Sequence, residues 1–177
     1  MRLFIAVDIS EEIKNQIEET KKQIKAEGKI NWVDKDKQHL TLKFLGEVPE
    51  SQIKDIKAKL NTIKLKPFEA ATKEIGVFPT EEYIRVIWIG FKDGNKITEL
   101  KDKIEKSLLD LFPKDERFHP HLTFARIKFI KNKKQLIESI KSIKIQPKTF
   151  KIEKFKLYKS TLTPEGPVYE ELAVFPA

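Results

Sequence analysis

Two seven-residue stretches of this chain are near copies of one another. Residues 39–45 read His39-Leu40-Thr41-Leu42-Lys43-Phe44-Leu45, and residues 121–127 read His121-Leu122-Thr123-Phe124-Ala125-Arg126-Ile127, 82 positions apart in a chain of 177. Each begins with polar and apolar residues in alternation, the period-two pattern of a strand with one buried face. Each is followed by a helical pattern and then by two more strand-like runs. A repeat spanning nearly half the chain predicts two copies of one unit, related by an approximate twofold.

The remaining elements agree with that plan. Residues 3–9 read as a buried strand, and Ser10 with Glu11 and Glu12 as the start of a helix that Gly28 stops. A short strand at 30–33 precedes the strand at 38–48, and Pro49 opens a second helix. Strands at 68–77 and 83–91 flank the loop 78–82. A third helix, with Ile97, Leu100, Ile104 and Leu108 on one face, leads through a loop at 113–120 to the strand at 121–129. A fourth helix carrying Ile137 and Ile140 is followed by strands near 149–158 and 168–175, the last pair turned by Pro164-Glu165-Gly166. Helices mixed with antiparallel strand pairs predict an α+β fold rather than a doubly wound parallel sheet. No Gly-, Ser- or Pro-rich linker divides the chain, so residues 1–177 are expected to form one two-lobed domain.

Composition narrows the class of protein. Apolar residues make up 40% of the chain, with 22 Ile and 12 Phe, enough for a substantial core. No apolar run approaches the roughly 18 residues of a membrane span. The apolar start ends at Asp8 without a cleavage-like segment, and a cytoplasmic protein is expected. The absence of cysteine excludes disulfides, thiolate metal sites and a cysteine nucleophile together. The richness in Lys, Glu and Ile is what thermophile proteins show, although an AT-rich genome gives a similar bias. The net charge of +8 is uneven: residues 1–90 sum to +1 and residues 91–177 to +7. Within 126–159 stand 12 basic residues and only Glu138 and Glu153 as acids, which fits either a polyanion partner or a solvated lysine-rich surface.

Residues two apart in a strand project from the same face. His39 and Thr41 therefore point one way and Leu40 and Leu42 the other, and His121 and Thr123 oppose Leu122 and Phe124 likewise. If the apolar sides face the helices, a groove between two sheets would hold two imidazoles and two hydroxyls. That set suits in-line displacement at phosphorus, where attack and departure occur at opposite apical positions. One neutral histidine takes a proton from the nucleophile while the other, protonated, gives one to the leaving oxygen. An ordinary pKa near 6.5 lets both forms be populated near neutrality. Threonine hydroxyls can donate to the non-bridging oxygens. The scheme needs no metal and no cofactor.

The twin motifs His-Leu-Thr-Leu at 39–42 and His-Leu-Thr-Phe at 121–124 resemble the signature of the two-histidine phosphoesterases. Further segments are similar to one branch, the RNA 2′,3′-cyclic phosphodiesterases historically called 2′-5′ RNA ligases. They include Arg2-Leu3-Phe4-Ile5-Ala6, Leu45-Gly46-Glu47, Gly76-Val77-Phe78-Pro79, Phe118-His119-Pro120 and Leu157-Tyr158-Lys159-Ser160. The resemblance implies a bilobal fold of two antiparallel β-sheets flanking a central cleft, with helices outside. It implies hydrolysis of RNA 2′,3′-cyclic phosphate ends to 2′-phosphates, with reversible 2′-5′ ligation as a secondary reaction. By the same resemblance His39 is the proton donor to the 3′-oxygen, His121 the base that activates water, and Thr41 and Thr123 bind the phosphate. The expected partner is RNA with cyclic phosphate termini, tRNA fragments among the candidates, bound by a monomer.

Other residues are open to two readings. Arg126 alternates away from the His121 face on an ideal strand, so it reaches phosphate only at a strand end or a bulge; otherwise it makes a surface ion pair. Lys43 shares the alternating face of His39 and Thr41 and meets either phosphate or solvent. Phe4, Phe78 and Trp32 are either core or surfaces for a stacked base, and His119 is expected to be exposed. Rival functions are a non-catalytic RNA-binding protein, a metal-dependent phosphodiesterase using Asp8 or Glu47, and an enzyme for small cyclic nucleotides or 2′-5′ oligonucleotides.

Overall fold

The structure, a computed structural model, describes residues 1–92 and 94–177. Nine strands and four helices follow in the order β1 (Arg2–Asp8), α1 (Glu11–Gln23), β2 (Gly28–Trp32), β3 (His39–Glu47), α2 (Ile53–Leu60), β4 (Phe68–Pro79), β5 (Ile84–Lys92), α3 (Gly94–Leu108), β6 (His121–Ile130), α4 (Lys133–Ser142), β7 (Thr149–Ile152), β8 (Lys154–Thr163) and β9 (Gly166–Pro176). All pairings are antiparallel. One sheet has the order β3-β1-β8-β9 and the other β2-β6-β5-β4-β7. The expected α+β architecture of two antiparallel sheets is therefore present.

The two sheets are built alike. In each, the strand with the His-x-Thr motif (β3 or β6) pairs with the strand that precedes the intervening helix (β1 or β5). Beyond that lies a strand contributed by the opposite half: β8 pairs with β1, and β4 with β5. The halves thus interlock by exchanging a strand, and β3 packs against β6 across the boundary.

The helices cover the outer faces with their apolar stripes. Ile13 and Ile17 of α1, Ile56 and Leu60 of α2, Ile97, Leu100, Ile104 and Leu108 of α3, and Leu136 of α4 are buried against Leu40, Leu42, Leu122 and Phe124 in one continuous core. Full burial of such a side chain contributes about 1.5–3 kcal/mol each. Ser10 caps α1 through its hydroxyl, which accepts from the Ile13 N–H, and Glu11 and Glu12 occupy the first turn where the helix dipole favours acids.

Two local expectations are corrected. Helix α1 ends at Gln23 rather than at Gly28, because Ile24 turns extended and enters the core. Gly28 serves instead to let β2 approach β6: it stands opposite Ile130, and a Cβ there would lie 2.1 Å from the Phe129 carbonyl oxygen. The single strand expected near 149–158 is two strands in different sheets, β7 beside β4 and β8 beside β1.

Candidate active site

The two motif strands share more than sequence. Along His39–Leu45 and along His121–Ile127 the burial runs identically: half-buried, buried, half-buried, two buried in succession, exposed, buried. The double burial marks a β-bulge at the same place in each. In β3, Ile5 stands opposite Lys43 and Ala6 opposite Thr41, so Leu42 is the extra residue. In β6, Ile87 stands opposite Ala125 and Trp88 opposite Thr123, so Phe124 is extra. A bulge reverses the alternation beyond it. The residues that return to the His/Thr face are therefore Phe44 and Arg126, not Lys43 and Ala125.

The bulges decide the face of two side chains. Arg126 is exposed on the same face as His121 and Thr123. Lys43, expected to share the face of His39 and Thr41, is turned inward: it is buried and binds Glu105 and Asp115. Phe44, unremarked in the sequence, is 68% exposed with its ring 6.2 Å from Phe4, beside the first histidine. A large aromatic left open to solvent at a cleft is a ready stacking surface.

His39 sits in an aromatic box. Its ring stacks on Phe4 at 4.9 Å and meets the edge of Tyr169 at 5.0 Å, and Tyr158 stands beside both, 5.3 Å from Phe4 and 6.0 Å from His39. Burial pushes the imidazole down to about 4. Asp8, its register partner across β1, and the Lys37 carbonyl that accepts from the ring both pull the other way. Asp8 is itself held by Tyr158, whose hydroxyl donates to it at 2.6 Å, and by Lys156 at 2.6 Å, which also binds Glu171 at 2.7 Å. Burial opposes ionisation of Asp8, but these two partners outweigh it and keep the carboxyl below its usual range.

His121 likewise has a carbonyl two residues before it, but the charges near it are positive. Its Nδ1 lies 2.6 Å from the His119 carbonyl oxygen. A carbonyl only accepts, so Nδ1 carries the proton and Nε2 is left as the free lone pair. Burial lowers this imidazole too; the His119 carbonyl raises it, while the nearby charges of His119 and Arg126 add to the lowering. The floor beside it is Trp88, whose ring lies across Gly76, where a Cβ would come within 2.1 Å of it. Phe78 meets His121 edge-on at 4.9 Å.

The two rows lie near one another, since β3 packs against β6. Arg126 acts electrostatically on His121 and also on Tyr169, the residue lying edge-on to His39. Of the other aromatic candidates, Phe4 is buried beneath His39, Phe78 is half-buried beside His121, and Trp32 stands opposite Ala125, on the face away from Arg126. His119 is exposed, as expected. Asp8 and Glu47, considered as metal ligands, are engaged elsewhere, Asp8 as above and Glu47 with the N-terminal amine at 3.3 Å. Among the described residues no group of three or more His, Cys, Asp or Glu is placed to hold a metal ion.

The basic segment 126–159 does not form one stripe. Its strands lie at separate positions of two sheets, and Lys134, Lys141, Lys148, Lys151, Lys156 and Lys159 are each paired with a carboxylate. No helix of the described residues is long and apolar enough to cross a membrane.

Comparison with known proteins gives a consistent result. The sequence matches the family described as LigT like Phosphoesterase over residues 7–88 and again over residues 90–169. It is 46% identical over 173 residues to an RNA 2′,3′-cyclic phosphodiesterase of Methanocaldococcus jannaschii, covering 96% of this chain and 97% of that protein. A protein of the same name from Thermotoga maritima is 35% identical, over 97% of this chain and 93% of its own. These relatives come from thermophiles, in line with the composition. A crystal structure from Thermus thermophilus superposes with a TM-score of 0.82 at 29% identity, covering 99% of this chain and 97% of the other.

Proposed function

The chain belongs to the LigT-like phosphoesterase family, and from that premise we propose that it hydrolyses RNA 2′,3′-cyclic phosphate ends to 2′-phosphates through His39 and His121, without a metal. The observation that supports this reading is the pair of His/Thr rows, each with the same bulge, on two strands that pack against one another.

A cyclic phosphate placed between the rows has water on the His121 side and the 3′-oxygen on the His39 side. Nε2 of His121 takes a proton from water as its oxygen bonds to phosphorus. The P–O3′ bond breaks, and protonated His39 gives its proton to the departing 3′-oxygen, leaving the phosphate on the 2′-oxygen. His121 ends protonated and His39 neutral, so a proton returns through solvent before the next cycle. Thr41 and Thr123 donate to the non-bridging oxygens, and Arg126 neutralises the charge that gathers on them. Phe44 carries the base of the terminal nucleotide.

The charges around the two histidines support the assignment. Both rings have a carbonyl two residues back, which leaves Nε2 of His121 free, and the positive charges near His121 favour the neutral form that a base needs. His39 has a carboxylate nearby to support its imidazolium, which suits the acid. When a 5′-hydroxyl replaces water, the same steps form a 2′-5′ linkage, driven by ring strain. Hydrolysis dominates because water is far more concentrated than RNA ends. We read the two halves as copies of one unit, and the enzyme as a cytoplasmic monomer acting on RNA.

The test is a short RNA bearing a 2′,3′-cyclic phosphate, incubated with the protein and a chelator. The expected product carries a terminal phosphate resistant to a 3′-specific phosphatase. A 3′-phosphate product would reverse the leaving group, and loss of turnover with the chelator would restore the metal-dependent reading. Turnover of cyclic mononucleotides alone would move the substrate away from RNA.

A further inference from the structure

Lys43 leaves the cleft face at the bulge and enters a buried group of four charges. Its Nζ lies 3.0 and 3.1 Å from the two Glu105 carboxylate oxygens, 3.0 Å from the Pro113 carbonyl and 3.2 Å from Asp115 Oδ1. Lys101 pairs with both Glu105 and Asp115, and the Asp115 N–H donates to Glu105 at 3.3 Å. The side chains of Lys43, Lys101 and Glu105 are 2%, 2% and 4% exposed, whereas Asp115 closes the mouth at 40%. Two cations thus balance two anions.

Stability alone does not account for this group. Burying charges costs several kcal/mol per ion, and a packed apolar cluster of similar volume serves as well or better. The equivalent position of the other half shows the apolar solution, since Ala125 fills the place of Lys43 behind the second bulge. What the charges add is direction. Lys43 belongs to the four-stranded sheet, Lys101 and Glu105 to α3, and Pro113 and Asp115 to the segment 109–120 that leads into β6. That segment is held again at Phe118, whose ring lies 5.4 Å from the Lys101 ammonium. Its next residue, His119, supplies the carbonyl that fixes the His121 tautomer.

We propose that the Lys43–Glu105–Lys101–Asp115 cluster is a latch between the lobes that positions His121, acting from the His39 strand through the segment 113–119. The inference rests on His121 as the base. These four are positioning residues; none touches the reacting atoms. The cluster sets the His119 carbonyl, the carbonyl sets which nitrogen of His121 is protonated, and Lys43 ties both to the strand that carries the other histidine.

The decisive variant is Lys43→Met/Asp115→Asn, which leaves Lys101 and Glu105 as a balanced pair and cuts the link between the lobes. Against a cyclic-phosphate RNA, Lys43→Met and the double variant are expected to lose about 10²-fold in kcat with KM little changed, the scale of a small misplacement of a catalytic group. The double variant should melt closer to the parent than Lys43→Met does, because no buried carboxylate is left unbalanced. In ¹⁵N-histidine NMR of the folded variants, His121 should move from the Nδ1–H form to a tautomer mixture while His39 is unchanged. Recovery of kcat in the double variant, or an unchanged His121 tautomer, would overturn the latch. If neither Lys43 variant folds, Asp115→Asn at the open mouth decides by the same NMR readout. Full activity in His121→Ala would remove the catalytic reading, yet the tautomer measurement would still report on the latch.

Discussion

Along residues 39–45 and 121–127 the strands β3 and β6 have the same burial sequence, the same half-buried His and Thr and the same bulge, and they change in chemical type only at the two positions behind it. There β3 has Lys43 and Phe44 where β6 has Ala125 and Arg126. The shared part places two equivalent His/Thr pairs. The different part gives the first half an aromatic surface and an inward cation, and the second half an outward guanidinium. A near-symmetric scaffold therefore carries asymmetric side chains, in keeping with the asymmetric substrate proposed above.

The largest expected effect tests the shared part. His39→Ala and His121→Ala should each lower kcat by about 10²–10⁴-fold, the usual contribution of general acid–base catalysis. Circular dichroism should show both variants folded, because both side chains line the cleft. Retention of most activity by either one would break the assignment.

The next two separate the halves. Arg126→Leu should reduce kcat by about 10²-fold, as for removal of one group that stabilises charge in the transition state. Phe44→Ala should instead weaken binding by about 1–3 kcal/mol per stacked base, read as a raised KM with kcat nearly unchanged. If the two variants gave the same pattern, the division of labour between the positions would fall.

The last predictions concern protonation, with the smallest effect expected from Asp8. Burial holds His39 at about 4 and His121 below its ordinary value. Above about pH 6.5 both imidazoles of the free enzyme are then neutral, and the singly protonated pair that the reaction needs falls about tenfold per pH unit. A plot of log(kcat/KM) should accordingly descend with a slope near −1 from pH 6.5 to 8.5. Asp8 raises the His39 value, so Asp8→Asn should lower it further, moving that limb of the profile to more acidic pH and reducing kcat/KM at pH 7 by roughly 2- to 5-fold. An unmoved profile would show that Asp8 serves the Tyr158 and Lys156 contacts alone.

Much of this site was legible from local pattern. Alternation at 39–42 and 121–124 is a property of neighbouring residues, so the two His/Thr faces and their buried Leu and Phe partners followed without knowledge of the fold. The bulges were not legible in that way. A bulge exists only relative to a partner strand, here Ile5–Ala6 for β3 and Ile87–Trp88 for β6. Strict alternation carried past Leu42 placed Lys43 in the cleft and passed over Phe44. The doubled apolar residues at Phe124-Ala125 were the available signal, and the equivalent signal in β3 was masked because its second buried residue is a lysine. Trp88 as cleft floor was also hidden, since it depends on Gly76 lying across from it.

The basic segment shows the same boundary between local and global. Charge along the chain was correctly counted, but several of its lysines meet carboxylates remote in sequence, Glu12, Glu81 and Asp8, which only the tertiary fold brings adjacent. What this chain determined by itself was its paired motif strands, its α+β class and the chemical types available, because these depend on near neighbours and periodicity. The tertiary structure alone decided which side chains face the cleft beyond Thr41 and Thr123, and which charges meet. Those outcomes depend on strand register and on long-range partners, and a single slip in register would send each of those side chains to the opposite face.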